Sequence, residues 1–449
     1  MGIGDFRRGL LLCLAFAAGL LLTVAPGAGA KVKVLKSEKL DSRLTELTLS
    51  TPNVDGPTGV RVLLPAGYGS SSRNYPVLYL LHGAIDDYRS WTDKGDAEAL
   101  TAGLPLIVVM PDSGPSDGYT NWDNPGPDGQ PAWERYHIED LIPFIDQRFR
   151  TRADRAGRAV AGLSMVGYGA MIYAAKHPDL FTAAAAFSGA VNLTNPLLLS
   201  ISTPTARGDY ATHKLRFESD NPLSLAENLG GIDLTLRTGD GSSGGPLDPD
   251  GGFDIVESVV HASNVSLHDR LGELGIGHVW EDYGPGNHTW PYWQRDLKKT
   301  LPGLMKRFRD RTPAPKRITF KSADSSYGAY GWSVKINRKA GEFSMLSDAG
   351  RNGFGISGSG RATVRTAPLL RKCRRFSVTI RDVSGKRKTV RHTGRKRRLE
   401  VKVNLGPANP FEQFTPEDEA AGHHSASANV SFKLLGKDRC GKKKRGGHG

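Results

Sequence analysis

From about residue 40 to residue 300 the chain alternates short apolar runs with longer segments of helical periodicity. The apolar runs are VRVLLP (60–65), PVLYLLHG (76–83), LPLIVVMPD (104–112), RAVAGLS (158–164), AAAAFSG (183–189) and DLTLRTGD (233–240). Each is brief, rich in Val, Leu, Ile or Ala, and closed by a turn-forming residue, which predicts strands buried on both faces. Helical segments are predicted over 133–149 and 167–178. In the first, Ile138, Leu141, Ile142, Ile145 and Phe149 recur at helical spacing and form one stripe that covers a sheet. Buried strands alternating with helices predict a mostly parallel sheet with helices on both faces.

The pattern changes after Pro313 and Pro315, which mark a linker. Runs such as RITFKS, GWSVKIN, FSVTIRD and LEVKVNL alternate apolar with polar or basic positions. That alternation predicts antiparallel strands with one buried and one cationic face. Residues 313–438 are therefore expected to form a small all-β domain, a sandwich or barrel. Within it, 409–426 reads as a loop, and 439–449 reads as a disordered basic tail.

Charge sharpens this division. The whole chain carries a formal +14, but residues 313–449 hold thirty Lys and Arg against ten Asp and Glu, a formal +20. The remaining 312 residues carry −6, so the two parts present different surfaces. The first thirty residues read as a cleaved export signal: Arg7 and Arg8, an apolar run over 9–25, then Ala28-Gly29-Ala30, as small residues at the cleavage site. The apolar run is short for a membrane span, which needs about 20 residues. Leu12 before Cys13 does not suit a lipid-anchor site. The expected mature chain is secreted or held at the cell envelope, with residues 31–312 as its first domain. Removal of Cys13 leaves Cys373 and Cys440, a pair expected to form a disulfide in an exported protein.

The stretch AGLSMVGYG (161–169) joins a predicted strand to a predicted helix. A serine on such a turn can act as a nucleophile, and a helix N-terminus favours negative charge developing beside it. Ser164 is the candidate, although Val166 stands where a second glycine is common. A serine nucleophile needs a base, and the base an orienting acid, in the chain order Ser, acid, His for this arrangement. His288, in GPGNHTWPYW (284–293), lies late in the domain on a loop and is the candidate base. His137, His177, His261, His268 and His278 fall within or at the ends of predicted elements. For the acid, Asp240, Asp248, Asp250, Asp254 and Glu257 all lie between Ser164 and His288, and the pattern does not choose among them. Gly83, in YLLHGAIDDYRSW (79–91), permits close backbone approach. The amides of Ala84 and Met165 are the candidate donors to a substrate oxyanion. His82 reads as a structural residue of that loop.

Five blocks, LLHGAIDDYRSW, VVMPDSGPSDGYTNW, WERYHIEDLIPFID, GLSMVGYGAMIYAAKHPDLFTAAAAFSG and GNHTWPYWQRDL, together resemble the esterase D-like α/β-hydrolases over roughly 45–305. Within them the chain is most similar to the secreted actinobacterial mycolyltransferases of the antigen type. The resemblance implies an α/β-hydrolase fold and carboxylic-ester chemistry through an acyl-enzyme, with no metal or cofactor. It implies Glu257, opening a helix, as the acid, with Asp240 second. Trp122 and Trp290 match positions lining the family's cleft and are candidate substrate contacts. The mycolyltransferases carry an acidic residue and an arginine near the oxyanion loop that help hold trehalose. Here His82-Gly83-Ala84-Ile85 stands instead, as in ordinary esterases. The expectation is therefore a serine esterase, or an acyltransferase to a sugar hydroxyl. A non-catalytic envelope-binding scaffold is the alternative, against which the intact Ser, acid, His order speaks.

Basic clusters at 371–375, 385–398 and 442–445 suggest a polyanionic partner. No aromatic residues interleave the charges as in nucleic-acid binders, and export argues against such a role. An anionic cell-envelope polymer is the expected partner.

Overall fold

In the computed structural model of the chain, residues 32–114, 119–122, 132–201, 206–248, 252–393 and 395–437 are described. The expected export signal and basic tail lie outside them. A nine-stranded sheet organises the first part, in the order β1-β2-β3-β5-β4-β6-β7-β8-β9. Its strands are β1 (Lys33–Lys39), β2 (Leu44–Thr51), β3 (Val54–Leu63), β4 (Val77–Leu81), β5 (Ile107–Pro111), β6 (Arg158–Leu163), β7 (Ala183–Phe187), β8 (Asp233–Thr238) and β9 (His278–Asp282). From β5 through β4 to β9 the neighbours run parallel. β1, β2 and β3 add an antiparallel flank.

Successive residues of the central strands point to opposite faces, and each face has its own core. On one face Val77, Tyr79, Val160, Ala184 and Leu234 meet Tyr168, Ile172 and Ala175 of the helix Met165–Lys176 and Val260, Leu267 and Leu271 of the helix Ile255–Glu273. On the other face Leu78, Leu80, Ala159, Ala161 and Ala185 meet Trp293, Leu297, Leu301, Leu304 and Phe308. Those five share one stripe of the helix Trp290–Asp310 at steps of three and four residues. The predicted helix over 133–149 forms with a π-helical turn, Tyr136–Leu141, between Trp133–Arg135 and Ile142–Arg148. The added residue turns His137 and Asp140 inward with Leu141.

The C-terminal part contains two antiparallel sheets around a separate apolar core. Its strands are β10 (Ile318–Ser322), β11 (Ser326–Tyr327), β12 (Ser333–Asn337), β13 (Ser344–Gly350), β14 (Gly353–Gly358), β15 (Arg361–Arg365), β16 (Arg374–Asp382), β17 (Gly385–His392), β18 (Glu400–Asn404) and β19 (Ala426–Lys437). Six strands run in the order β10-β13-β14-β19-β16-β17, and four in the order β11-β12-β15-β18. Inner positions of both sheets, such as Val334, Val364 and Val401 against Phe354, Val378 and Val430, supply that core. The segment expected to be a loop, 409–426, contains a short helix, Pro416–Ala421. Thr415 caps it, Pro416 suits its first turn, and Glu417, Asp418 and Glu419 complement its N-terminus. Cys373 is disulfide-bonded; Cys440, its expected partner, lies outside the described residues.

The second body is docked on the first. The Asn228 side chain donates to the Lys321 carbonyl at 2.9 Å and accepts from the Lys321 N–H at 2.7 Å, which ties β10 to the N-terminal part of the chain. Tyr330 adds a bond from its hydroxyl to the Pro178 carbonyl at 2.7 Å and one from its amide to Asp179 at 2.9 Å.

Candidate active site

Three adjacent strands end at the site. Ser164 follows β6 and caps the helix Met165–Lys176 with φ 55° and ψ −131°, a conformation that a non-glycine residue adopts only under restraint. Its amide donates to the Phe187 carbonyl at 2.9 Å, and its carbonyl accepts from Gly167 at 2.9 Å and Ala190 at 3.1 Å. The backbone is thus held at both peptide groups while the side chain projects beyond the sheet. The close crossing falls at Gly167: a Cβ there would lie 2.5 Å from the Gly189 Cα. The side chain of Val166 lies outside the described residues.

Ser164 and His288 lie together, with His288 Nε2 2.6 Å from Ser164 Oγ. His288 Nδ1 lies 2.7 Å from Glu257 Oε2. A carboxylate only accepts, so Nδ1 carries the proton and Nε2 is free to accept from the serine hydroxyl. Glu257 is fully buried. Its other oxygen accepts from the Gly239 amide at 2.7 Å and the Ser188 hydroxyl at 2.8 Å, with Thr238 Oγ1 at 3.1 Å. A buried carboxylate is sustained only by such donors. Glu257 sits in the first turn of the helix Ile255–Glu273, where the N-terminal dipole also favours its charge.

Asp254 has a role that its position among the acid candidates does not reveal. One of its oxygens caps the helix, accepting from Val256 N at 2.9 Å and Glu257 N at 3.1 Å. The other accepts from His288 N at 2.7 Å. One carboxylate therefore fixes the start of the helix that carries Glu257 against the backbone of His288. Asp240 turns instead to Ser242 N at 2.7 Å, and Asp248 to Gly245 N at 2.8 Å. Asp250 lies outside the described residues.

Gly83 places the preceding loop beside the serine: a Cβ on it would lie 3.8 Å from Ser164 Cβ and 2.6 Å from Leu163. Ala84 follows directly, and Met165 N–H belongs to the first turn of a helix, where amides lack intrahelical acceptors. His82 is buried and braces the loop through Gly83 O at 2.9 Å and Ser113 Oγ at 3.2 Å. Ile85 is 99% exposed with φ 60°, strained for a β-branched residue.

The two candidate substrate tryptophans occupy different places. Trp122 is buried in the core on the face of the sheet covered by the helix Met165–Lys176. Trp290 is half-buried and packs edge-on against Trp91 and Trp293, each at 5.2 Å. Trp293 meets the His288 ring at 5.0 Å and 87°, an edge contact that limits rotation of the imidazole. The other histidines have structural partners. His137 lies between Tyr173 Oη and the Asp112 carbonyl, and burial pushes its ring down to about 4. His177 bonds Glu134, His261 bonds Asp282, and His268 bonds His278.

Residues 51–304 match the model of a family described as putative esterase. The chain belongs to this esterase family. It is 33% identical over 306 residues to Esterase Rv1288 of Mycobacterium tuberculosis (strain ATCC 25618 / H37Rv), covering 65% of each protein. It thus spans a little under two thirds of that relative's length. It is 30% identical over 251 residues to the diacylglycerol acyltransferase/mycolyltransferase Ag85B of Mycobacterium leprae (strain TN), covering 51% of this chain and 75% of that one. The crystal structure of Mycobacterium tuberculosis MPT51 (FbpC1) aligns with a TM-score of 0.49 and 20% identity, over 61% of this chain and 99% of that one.

Proposed function

We propose that the protein is a serine esterase that cleaves carboxylic esters through Ser164, His288 and Glu257. The observation that carries this reading is the unbroken chain of short contacts from Ser164 Oγ through His288 to the buried Glu257. His288 Nε2 takes the Ser164 proton as Oγ bonds to the ester carbonyl carbon. The carbonyl electrons move to oxygen, and the amides of Ala84 and Met165 receive that charge. Glu257 stabilises the imidazolium and keeps its orientation. The tetrahedral adduct collapses, the ester C–O bond breaks, and the alkoxide leaves with the proton from Nε2. Water then attacks the acyl-serine by the same route in reverse.

A second reading has a specific support. Similarity to a diacylglycerol acyltransferase/mycolyltransferase supports acyl transfer to an alcohol; in this reading a sugar hydroxyl replaces water and accepts a fatty or mycolyl-type acyl group. Export completes the proposal: residues 1–30 have the form of a cleaved signal, and a disulfide at Cys373 suits an oxidising compartment. Among the described residues no helix is long and apolar enough to cross a membrane. Incubation with a p-nitrophenyl acyl ester, with and without trehalose or glucose, tests both readings. Free acid alone indicates hydrolysis, and an acylated sugar indicates transfer. Folded protein that forms neither product would overturn the esterase reading.

A further inference from the structure

The outer face of the four-stranded sheet carries the rows that register sets side by side. Asn337, Arg361 and Asn404 form one row across β12, β15 and β18, and Lys335, Thr363 and Lys402 form the next. Neighbouring strands are about 4.8 Å apart and same-face residues about 7 Å apart along a strand. Two adjoining hollows, of about 400 and 290 Å3, open on this face and share Arg361 and Asn404. Arg387 and Ser384 form a wall of the second.

Part of this surface is built in advance. Arg387 is fixed by the buried Asp382 side chain at 2.7 Å and by the Lys402 carbonyl at 3.0 Å. The Asn404 side chain donates to Ser384 Oγ at 2.6 Å, and its backbone amide donates to Asp382 at 2.8 Å. Arg361 and Lys402, in contrast, have no ion-pair partner among the described residues; the nearby Arg365 takes Glu400 at 3.0 Å. Protection of a sheet edge accounts for the lysines and arginines of the edge strand β17. It does not account for Arg361, because β15 is an interior strand.

We propose that these hollows bind an acidic polysaccharide, a hydroxyl-rich chain with carboxylate or phosphate groups along it. Arg361, Lys402 and Arg387 meet the anions, and Asn337, Thr363 and Asn404 meet hydroxyls. None of the named groove residues is aromatic, whereas single-stranded nucleic acids are held largely by base stacking on aromatic side chains. The inference is independent of the esterase reading.

The test uses the full mature chain, titrated by calorimetry with polygalacturonate, with poly(glycerol phosphate), with neutral dextran and with an oligo-dT strand. Binding to one or both acidic chains is expected, and the pair distinguishes carboxylate from phosphate. Raising the salt should weaken it, since the screening length falls from about 30 Å at 0.01 M to about 3 Å at 1 M. The double variant Arg361→Glu with Lys402→Glu should bind about tenfold or more weaker, a loss of about 1.4 kcal/mol or more. The control, Lys388→Glu with Arg391→Glu on β17, has the same net charge and should lose less than about half its affinity. Thermal unfolding of both checks that the fold is intact. Equal losses in the two doubles, dextran binding as tightly as the acidic chains, or no binding would overturn the assignment. Tighter binding of oligo-dT through the same two residues would replace the polysaccharide with a nucleic acid.

Discussion

Asp254 connects stability and chemistry through two separable sets of bonds, and replacing it tests both. In Asp254→Ala the helix Ile255–Glu273 loses its cap, a cost of about 1 kcal/mol. It also loses the charged acceptor on His288 N, worth about 1.5–3 kcal/mol when buried and less for this half-exposed group. A stability loss of about 2–3 kcal/mol is expected. The rate should fall further than stability implies, because a displacement of about 1 Å in a reacting group can cost about a hundredfold. His288 keeps Glu257 but loses its backbone tether, so kcat should drop about ten- to a hundredfold with KM little changed. Asp254→Asn separates the two effects. Its amide oxygen can keep the two cap bonds, leaving its NH2 against the His288 N–H, donor against donor. That variant should keep more stability than Asp254→Ala while losing a similar share of kcat. The assay is p-nitrophenyl acetate hydrolysis beside urea denaturation. Wild-type kcat in Asp254→Ala, with the stability loss as stated, would refute the view that the tether positions the base.

Three further outcomes are expected. Gly167→Ala should cost about 2 kcal/mol or more and most of the activity, since its Cβ would lie 2.5 Å from backbone, whereas Val166→Gly should keep activity; thermal melts and ester hydrolysis check both. Burial pushes the Asp296 carboxyl up to about 7 against the pull of Arg295 and Arg237, with Glu257 adding to the rise. A raised acid holds its proton better in the folded state, so its contribution is present below the unfolded value near 4 and is lost as pH climbs towards 7; Asp296→Asn should therefore lose less stability than wild type between about pH 4 and pH 8 in urea titrations. Asn228→Ala leaves the Lys321 amide and carbonyl without their partners, and should lower stability by about 2 kcal/mol with kcat unchanged.

The strands, Ser164 and His288 were legible in the sequence because strand burial, a strand-to-helix turn and a late loop histidine are local signals; Glu257 was not, since five acids fit the chain order and only the family resemblance implied it. Apolar runs between turn residues mark β3 to β8 within a residue or two at most ends, although β3 begins earlier than its apolar run. Asp254 and Ser188 were not legible as supports. Asp254 acts through two backbone segments that only the fold brings together, and Ser188 reaches Glu257 from the end of β7 with φ 48°, a turn no motif marks. Trp293 likewise reads as one more apolar helix position, and only packing puts it against His288. The helix Pro416–Ala421 was legible in principle, since Thr-Pro-Glu-Asp-Glu is a start signal, but it is short and sits among loop-forming residues. The docking of β10 through Asn228 rests on a single polar pair 93 residues apart, which pattern alone does not reveal.

The most direct measurement is fluorophosphonate labelling of the folded wild-type protein, followed by mass spectrometry of the modified peptide. A covalent adduct on Ser164 is predicted, absent in Ser164→Ala and formed far more slowly in His288→Ala. Folded wild-type protein that carries no adduct on Ser164 would contradict the proposed nucleophile and the esterase chemistry built on it.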